Sequence, residues 1–275
     1  MSASHIPRQV IVVIGTGGMG LAVARRIASG KSLVLADYSE KALQSSLELL
    51  KGNGFSVTGH LVDVSDLSSV KKLAVDAAAL GPLAAVIQTA GVSPVQAPLK
   101  AIYSVDLLGT ANVIEAFESV VGAGTSVVCI SSAAGYQAQL SPELEKHFAT
   151  APVSSLLYHT EISHEIPAGY GYCIAKKANQ LRVQAASLKY GLKGARINSI
   201  SPGVISTPMG MAEMEGEHGA HVKAMISMCG AKRVGTPDDI AGVVAFLVGG
   251  DSSYITGNDI LVDGGSTMGM KHAGV

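Results

Sequence analysis

Val10-Ile11-Val12-Val13-Ile14-Gly15-Thr16-Gly17-Gly18-Met19-Gly20 is the stretch that decides the fold. Five consecutive apolar, mostly β-branched residues suit a short strand buried on both faces. The run ends in Gly15-x-Gly17-x-x-Gly20, and Met19–Ser29 then takes up a helical pattern. A strand, a glycine turn and a helix in that order make a corner that holds phosphate. The glycines allow a tight turn and close approach of the backbone, while the helix N-terminus offers unpaired N–H groups and a favourable dipole. Gly15, Thr16, Gly17, Gly18, Met19 and Gly20 are therefore the expected pyrophosphate site of a dinucleotide, against the blander reading of a flexible turn.

The rest of the chain keeps the same rhythm. Further strands are expected at Leu33–Ala36, Gly59–Val62, Ala85–Gln88, Ser126–Ile130, Arg196–Ile200 and Ile260–Val262. Helices are expected between them at Glu40–Lys51, Leu67–Leu80, Ile102–Val121, Tyr172–Tyr190 and Pro237–Val248. Alternation of this kind implies right-handed crossovers and an α/β fold. The expected architecture is a doubly wound, seven-stranded parallel sheet, Rossmann-like, in three α/β/α layers. One domain over residues 1–275 is expected, with no internal repeat or linker. The rhythm fails twice, from Tyr136 to Gly171 and from Gly210 to Gly230.

Composition narrows the function. Charged residues make up only 15% of the 275, hydrophobic ones 48%, and the formal net charge is −1. A usual soluble domain carries about 25% charge; a sheet covered on both faces and buried subunit contacts would explain the shortfall. No basic stripe points to nucleic acid and no apolar run to a membrane span. Cys129, Cys173 and Cys229 are too widely spaced for a metal or disulfide framework, so buried thiols in a reducing cytosol are expected. Met1 to Gln9 carries no secretory signal pattern, and a cytoplasmic location is expected.

Asp37 closes the second strand, where an acid would bind both adenosine ribose hydroxyls and repel a 2′-phosphate. No Lys or Arg in the glycine turn or just after Asp37 offsets that repulsion, so NAD+/NADH is favoured over the phosphorylated cofactor. Tyr38 is counted with the same site. Asp63-Val64, after the third strand, could meet the adenine, although Asp37 and Asp63 could equally cap the helices that follow. Thr89-Ala90-Gly91 offers small residues beside a ribose. Further on, Tyr172 and Lys176 lie four residues apart, on one face of a helix. A free phenol has a pKa of about 10, and a fixed cation beside it favours phenolate. Taken alone the pair is weak, since aromatic and basic residues at helical spacing usually just pack.

Together these residues resemble the short-chain dehydrogenase/reductase family, over about Val10 to Gly265. The glycine turn, Asp63-Val64, Thr89-Ala90-Gly91, Ser131-Ser132, Tyr-x-x-x-Lys, Pro202-Gly203 and Val262-Asp263-Gly264-Gly265 stand in the family's order. The resemblance implies Tyr172 and Lys176 as the proton relay and Ser132, rather than Ser131, as the residue that orients the substrate oxygen. It gives Lys176 a second role on the nicotinamide ribose. It places Pro202, Gly203, Ile205 and Thr207 around the nicotinamide, with the Ile205 backbone and Thr207 hydroxyl on the carboxamide. The segment after Thr207, at about 208–230, becomes a substrate lid. Its methionines would suit a hydrophobic substrate such as a hydroxysteroid, or would simply fill a core. The implied reaction interconverts a secondary alcohol and a ketone with NAD(H) and no metal, in a homo-oligomer, dimer or tetramer. The rival readings are a sensor or scaffold of the same fold without turnover, and a 3-hydroxyacyl dehydrogenase.

Three departures from the family pattern stand out. Val13-Ile14 occupies the place of the usual Thr-Gly before the turn. Asp106 replaces the family's catalytic Asn, whose place in a kinked helix frees a carbonyl for a water leading to the lysine. Activity is expected to survive that change, with the Asp106 carboxylate either strengthening the lysine's charge or disturbing the relay. Ser132 and Tyr172 are 40 residues apart, an unusually long spacing. The extra residues, at about 136–171, resemble the insertion of bacterial 3α-hydroxysteroid dehydrogenase/carbonyl reductases. Within them Ser141-Pro142-Glu143 reads as a helix start, with Leu140, Leu144 and Phe148 on one stripe. His159, Glu161, His164 and Glu165 fit no strong metal template, and a solvated polar turn is the expected reading.

Overall fold

The computed structural model describes residues 8–216 and 219–272. Residues 1–7, most of the stretch read for a leader, and 217–218, within the segment expected as a lid, lie outside the described residues.

In chain order the first half runs β1 (Val10–Ile14), α1 (Gly18–Ile27), β2 (Ser32–Asp37), α2 (Glu40–Gly52), β3 (Val57–Leu61), α3 (Leu67–Ala79) and β4 (Leu83–Gln88). Then come α4 (Leu99–Ile102), a π-helical turn (Tyr103–Leu108), α5 (Gly109–Glu118), β5 (Ser126–Ile130), α6 (Pro142–Thr150) and α7 (Ala168–Gly191). The chain continues through β6 (Arg196–Pro202), α8 (Pro208–Glu215), α9 (Gly219–Met228), α10 (Pro237–Val248), β7 (Asp259–Val262) and α11 (Ser266–His272). The seven strands form one sheet in the order β3-β2-β1-β4-β5-β6-β7, and all pairings are parallel.

The apolar runs follow from this arrangement. Val12 and Ile14 of β1 join Leu73, Phe117 and Tyr190 in a core under α3, α5 and α7. Ile11 and Val13, pointing the other way, join Ile27, Leu47 and Leu247 under α1, α2 and α10. A strand with helices on both faces has no polar side, so alternation disappears. The strand order reverses between β1 and β4, which opens a crevice at the carboxyl ends of the strands.

A third core ties the 136–171 segment down. Leu144, Phe148, Leu156 and Ile162 pack with Ile102, Tyr103 and Ile174, so α6 lies on α7 and the π-helical turn. Ser141 caps α6, its hydroxyl accepting the Leu144 N–H at 3.1 Å.

The expected helix over Ile102–Val121 is not continuous. Its first part widens into the π-helical turn that carries Asp106 inward. Helices α8, α9 and α11 were not expected, and α7 begins at Ala168, four residues before Tyr172. No described helix is long and apolar enough to cross a membrane.

Candidate active site

Two cavities meet at the crevice. The larger, about 590 Å³, is walled by Gly15, Gly17, Gly18, Met19, Gly20, Asp37, Tyr38, Asp63, Val64, Thr89, Ala90, Gly91 and Thr207. The second, about 380 Å³, is walled by Ser132, Tyr172, Pro202, Gly203, Ile205 and Thr207. Met19, Thr207 and Met209 belong to both walls, so the two spaces adjoin there. The sequence-derived residues thus gather around one crevice, with Thr16 and Lys176 just behind its walls.

The glycine turn works through two constraints. Gly15 has φ +97°, and a Cβ there would strike Thr89 and the Ala90 backbone. A Cβ on Gly20 would collide with the Gly15 carbonyl, so glycine lets α1 seat against the turn. Thr89 Oγ1 lies 2.9 Å from Ile14 O and 3.0 Å from Gly15 O. The hydroxyl from β4 therefore braces the turn in a chain that lacks the usual Thr-Gly pair.

Thr16 does not face the cavity. Its N–H and hydroxyl both donate to Asp37 Oδ2, each at 2.7 Å, and Asp37 Oδ1 accepts Ser39 N–H at 2.8 Å. Asp37 is a fixed carboxylate at the end of β2 rather than a helix cap; Ser39 caps α2. Asp63 likewise does not cap α3, a task taken by Asp66. Asp63 closes a local turn by accepting Ser65 N–H and Oγ–H through Oδ1 alone. A dinucleotide fits this cavity: glycines where phosphate would approach, a helix N-terminus, a fixed acid for hydroxyls and, among the described residues, no Lys or Arg on the wall.

Ser131 and Ser132 separate cleanly. Ser131 is buried and its hydroxyl donates to the Lys176 carbonyl at 2.8 Å, tying β5 to α7. Ser132 faces the smaller cavity, with its hydroxyl beside the Tyr172 phenol. Lys176 Nζ stands 5.3 Å from the centre of the Tyr172 ring. Its other neighbour is Asp106, whose Oδ1 lies 3.2 Å away and also accepts Val92 N–H at 3.2 Å. The aspartate thus meets the lysine through its side chain. Gly91 is explained by the same contact, since a Cβ there would come within 2.5 Å of Asp106 Oδ1.

Charge at the centre differs from the sequence expectation. Burial pushes the Tyr172 phenol above its ordinary pKa; Lys176 pulls it down, Asp106 and Glu213 push it up, and the Ser132 hydroxyl helps lower it. The lysine's pull is present, but burial and two carboxylates outweigh it. Burial opposes the Lys176 charge, yet Asp106 and then Tyr172 hold its pKa above the ordinary value, so the ammonium stays charged.

In the segment expected as a lid, Thr207 caps α8, accepting Gly210 N–H at 3.1 Å. Ile205 pairs with Gly235 through Ser206 N and Gly235 N, which does not consume the Ile205 N–H. The sequence reading missed Ser93 and Glu213 near the smaller cavity. The signal was present in Met209 and Glu213, four residues apart and so on one helical face. His159 and Glu161 stand 4.0 Å apart, and among the described residues no three potential ligands converge on a metal position. All three cysteines are free and buried.

Sheet order, glycine turn and the Ser-Tyr-Lys group define an oxidoreductase of the Rossmann-like class. Family models agree: short chain dehydrogenase matches residues 8–142 and enoyl-(acyl carrier protein) reductase matches 152–267. A short-chain dehydrogenase/reductase of Alternaria brassicicola, bsc3, is 40% identical over 94% of this chain and 96% of its own. Dehydrogenase/reductase SDR family member 4 of Bos taurus is 29% identical over 93% and 86%. Among solved structures, levodione reductase superposes with a TM-score of 0.75 at 25% identity, over 96% of this chain and 99% of its own. The chain belongs to the short-chain dehydrogenase/reductase family, whose members use nicotinamide cofactors.

Proposed function

We propose that this enzyme interconverts a secondary alcohol and a ketone, with NAD(H) as the hydride carrier. One observation carries the reading: Ser132 and Tyr172 share the wall of an apolar cavity that adjoins the dinucleotide cavity, with a charged lysine behind them.

When bound, the nicotinamide accepts or supplies the hydride. Tyr172 exchanges its phenolic proton with the substrate oxygen. Ser132 donates a hydrogen bond to that oxygen and offsets the charge that develops there. Lys176 favours the phenolate and would hold the ribose hydroxyls of the bound cofactor. The buried phenol keeps its proton near neutrality, so Tyr172 starts as an acid and ketone reduction is the easier direction there. Alcohol oxidation gains as pH rises. Asp37 disfavours a 2′-phosphate and so favours NAD(H).

Val95, Met209, Val222 and Met225 give the smaller cavity an apolar wall suited to a hydrophobic substrate, a hydroxysteroid being one option. The similar fold of levodione reductase, named as a reductase, supports this reading. The reading includes a single domain, a reducing cytoplasmic compartment and a homo-oligomer, dimer or tetramer.

The test is a panel of alcohols and ketones with both cofactors, followed at the absorbance of the reduced nicotinamide. Turnover at least tenfold more efficient with NAD(H) is expected. A preference for NADP(H) would overturn the cofactor assignment. NADH binding with no turnover of any compound would favour a sensor.

A further inference from the structure

Among the described residues Glu213 is the only carboxyl on the wall of the smaller cavity, and no Lys, Arg or His shares that wall. It sits in the second turn of α8, one helical turn beyond Met209, and both side chains face the cavity. Among the described residues no cation pairs with it. Burial raises its pKa; the Ser93 hydroxyl close by and the Lys176 charge work the other way. Ser93 is itself fully buried, and among the described residues its hydroxyl makes no well-formed hydrogen bond, Glu213 being the acceptor beside it. Glu213 is near enough to the reacting centre for its charge to act on both Tyr172 and Lys176.

A carboxyl on an apolar wall is costly unless something hydrogen-bonds to it. Carboxylates with a structural task in this protein find donors: Asp66 has Ser68, and Asp239 has Arg233 and Thr236. Among the described residues Glu213 has only the Ser93 hydroxyl beside it, and open cavity. We infer that Glu213, with Ser93 beside it, accepts a hydrogen bond from a second polar group of the substrate. The substrate is then a ketone or alcohol that carries a further hydrogen-bond donor, hydroxyl or ammonium, away from the reacting carbon, with apolar framework between. This rests on the alcohol–ketone reading above and makes Glu213 a specificity determinant of that site.

Methyl ketones of increasing chain length, bare or ended by a hydroxyl or an ammonium, are the probes. Their binding to NADH-loaded Tyr172→Phe enzyme is measured by calorimetry, which does not depend on turnover. At one chain length a terminal donor should tighten binding about tenfold over the bare ketone, as expected for a hydrogen bond to a charged group. Glu213→Leu should abolish that difference, and retained NADH affinity shows that the variant is folded. Glu213→Gln separates the two donors: its amide oxygen still accepts a hydroxyl, whereas an ammonium loses its countercharge. No gain at any length, or a gain that survives Glu213→Leu, overturns the inference. Wild-type turnover of the same ketones keeps the two readings apart. Bare ketones reduced with no donor effect sink only the role of Glu213, whereas donor-dependent binding without reduction sinks only the reaction.

Discussion

Asp106 Oδ1 lies 3.2 Å from Lys176 Nζ, and both side chains are inside the protein. The other aspartate oxygen, Oδ2, has no partner among the described residues. Tyr172 therefore feels an ion pair rather than a lone cation. Asp106 raises the phenol's pKa and Lys176 lowers it, so removing the carboxylate charge should make phenolate easier to form. Asp106→Asn is expected to move the pH midpoint of alcohol oxidation downward. Turnover at the optimum should stay within about tenfold, ~1.4 kcal/mol of barrier. The pH profile of kcat/KM measures both. An upward shift would mean that Lys176 loses its proton once its counter-ion is gone.

The proposed cofactor choice rests on Asp37. Replacing it with serine removes the carboxylate proposed to meet the ribose and also two hydrogen bonds from Thr16. Asp37→Ser should lower the ratio of kcat/KM for NAD(H) over NADP(H) by at least tenfold, with some loss of affinity for both. An unchanged ratio would show that Asp37 does not select the cofactor.

Gly20 tests the turn. Alanine favours a helix interior over glycine by ~1 kcal/mol, but here its Cβ would collide with the Gly15 carbonyl. Gly20→Ala should weaken NADH binding more than tenfold in a fluorescence titration. Unchanged affinity would mean that α1 can shift without disturbing the phosphate corner.

Phe148 tests whether α6 belongs to the core. It is fully buried against Leu144 and the residues of α7. Phe148→Ala should cost about 3–5 kcal/mol by urea denaturation. A cost under ~1 kcal/mol would make the 136–171 segment peripheral.

The sheet was legible because strands with helices on both faces must be apolar throughout. Val10–Ile14 and Ser126–Ile130 were read to the residue for that reason. The edge strand β3 was misplaced by two residues at its start: only Val57 is buried in it, and Thr58 and Gly59 are exposed. The π-helical turn over Tyr103–Leu108 was legible only through the resemblance, which implied a kinked helix at Asp106. Its hydrophobic pattern alone suits an ordinary helix. The start of α6 was visible in Ser141-Pro142, a local cap, whereas α8 and α9 carry methionines without clean periodicity. The candidate site residues were named through resemblance, and the structure gathers them around one crevice. The bracing of the turn by Thr89 and the inward face of Glu213 could not be read, since each is a tertiary relation.

The most direct measurement is the turnover of Tyr172→Phe beside its affinity for NADH. The proton carrier assigned here predicts loss of turnover with NADH binding largely intact. Turnover near the wild-type rate in that variant would contradict it.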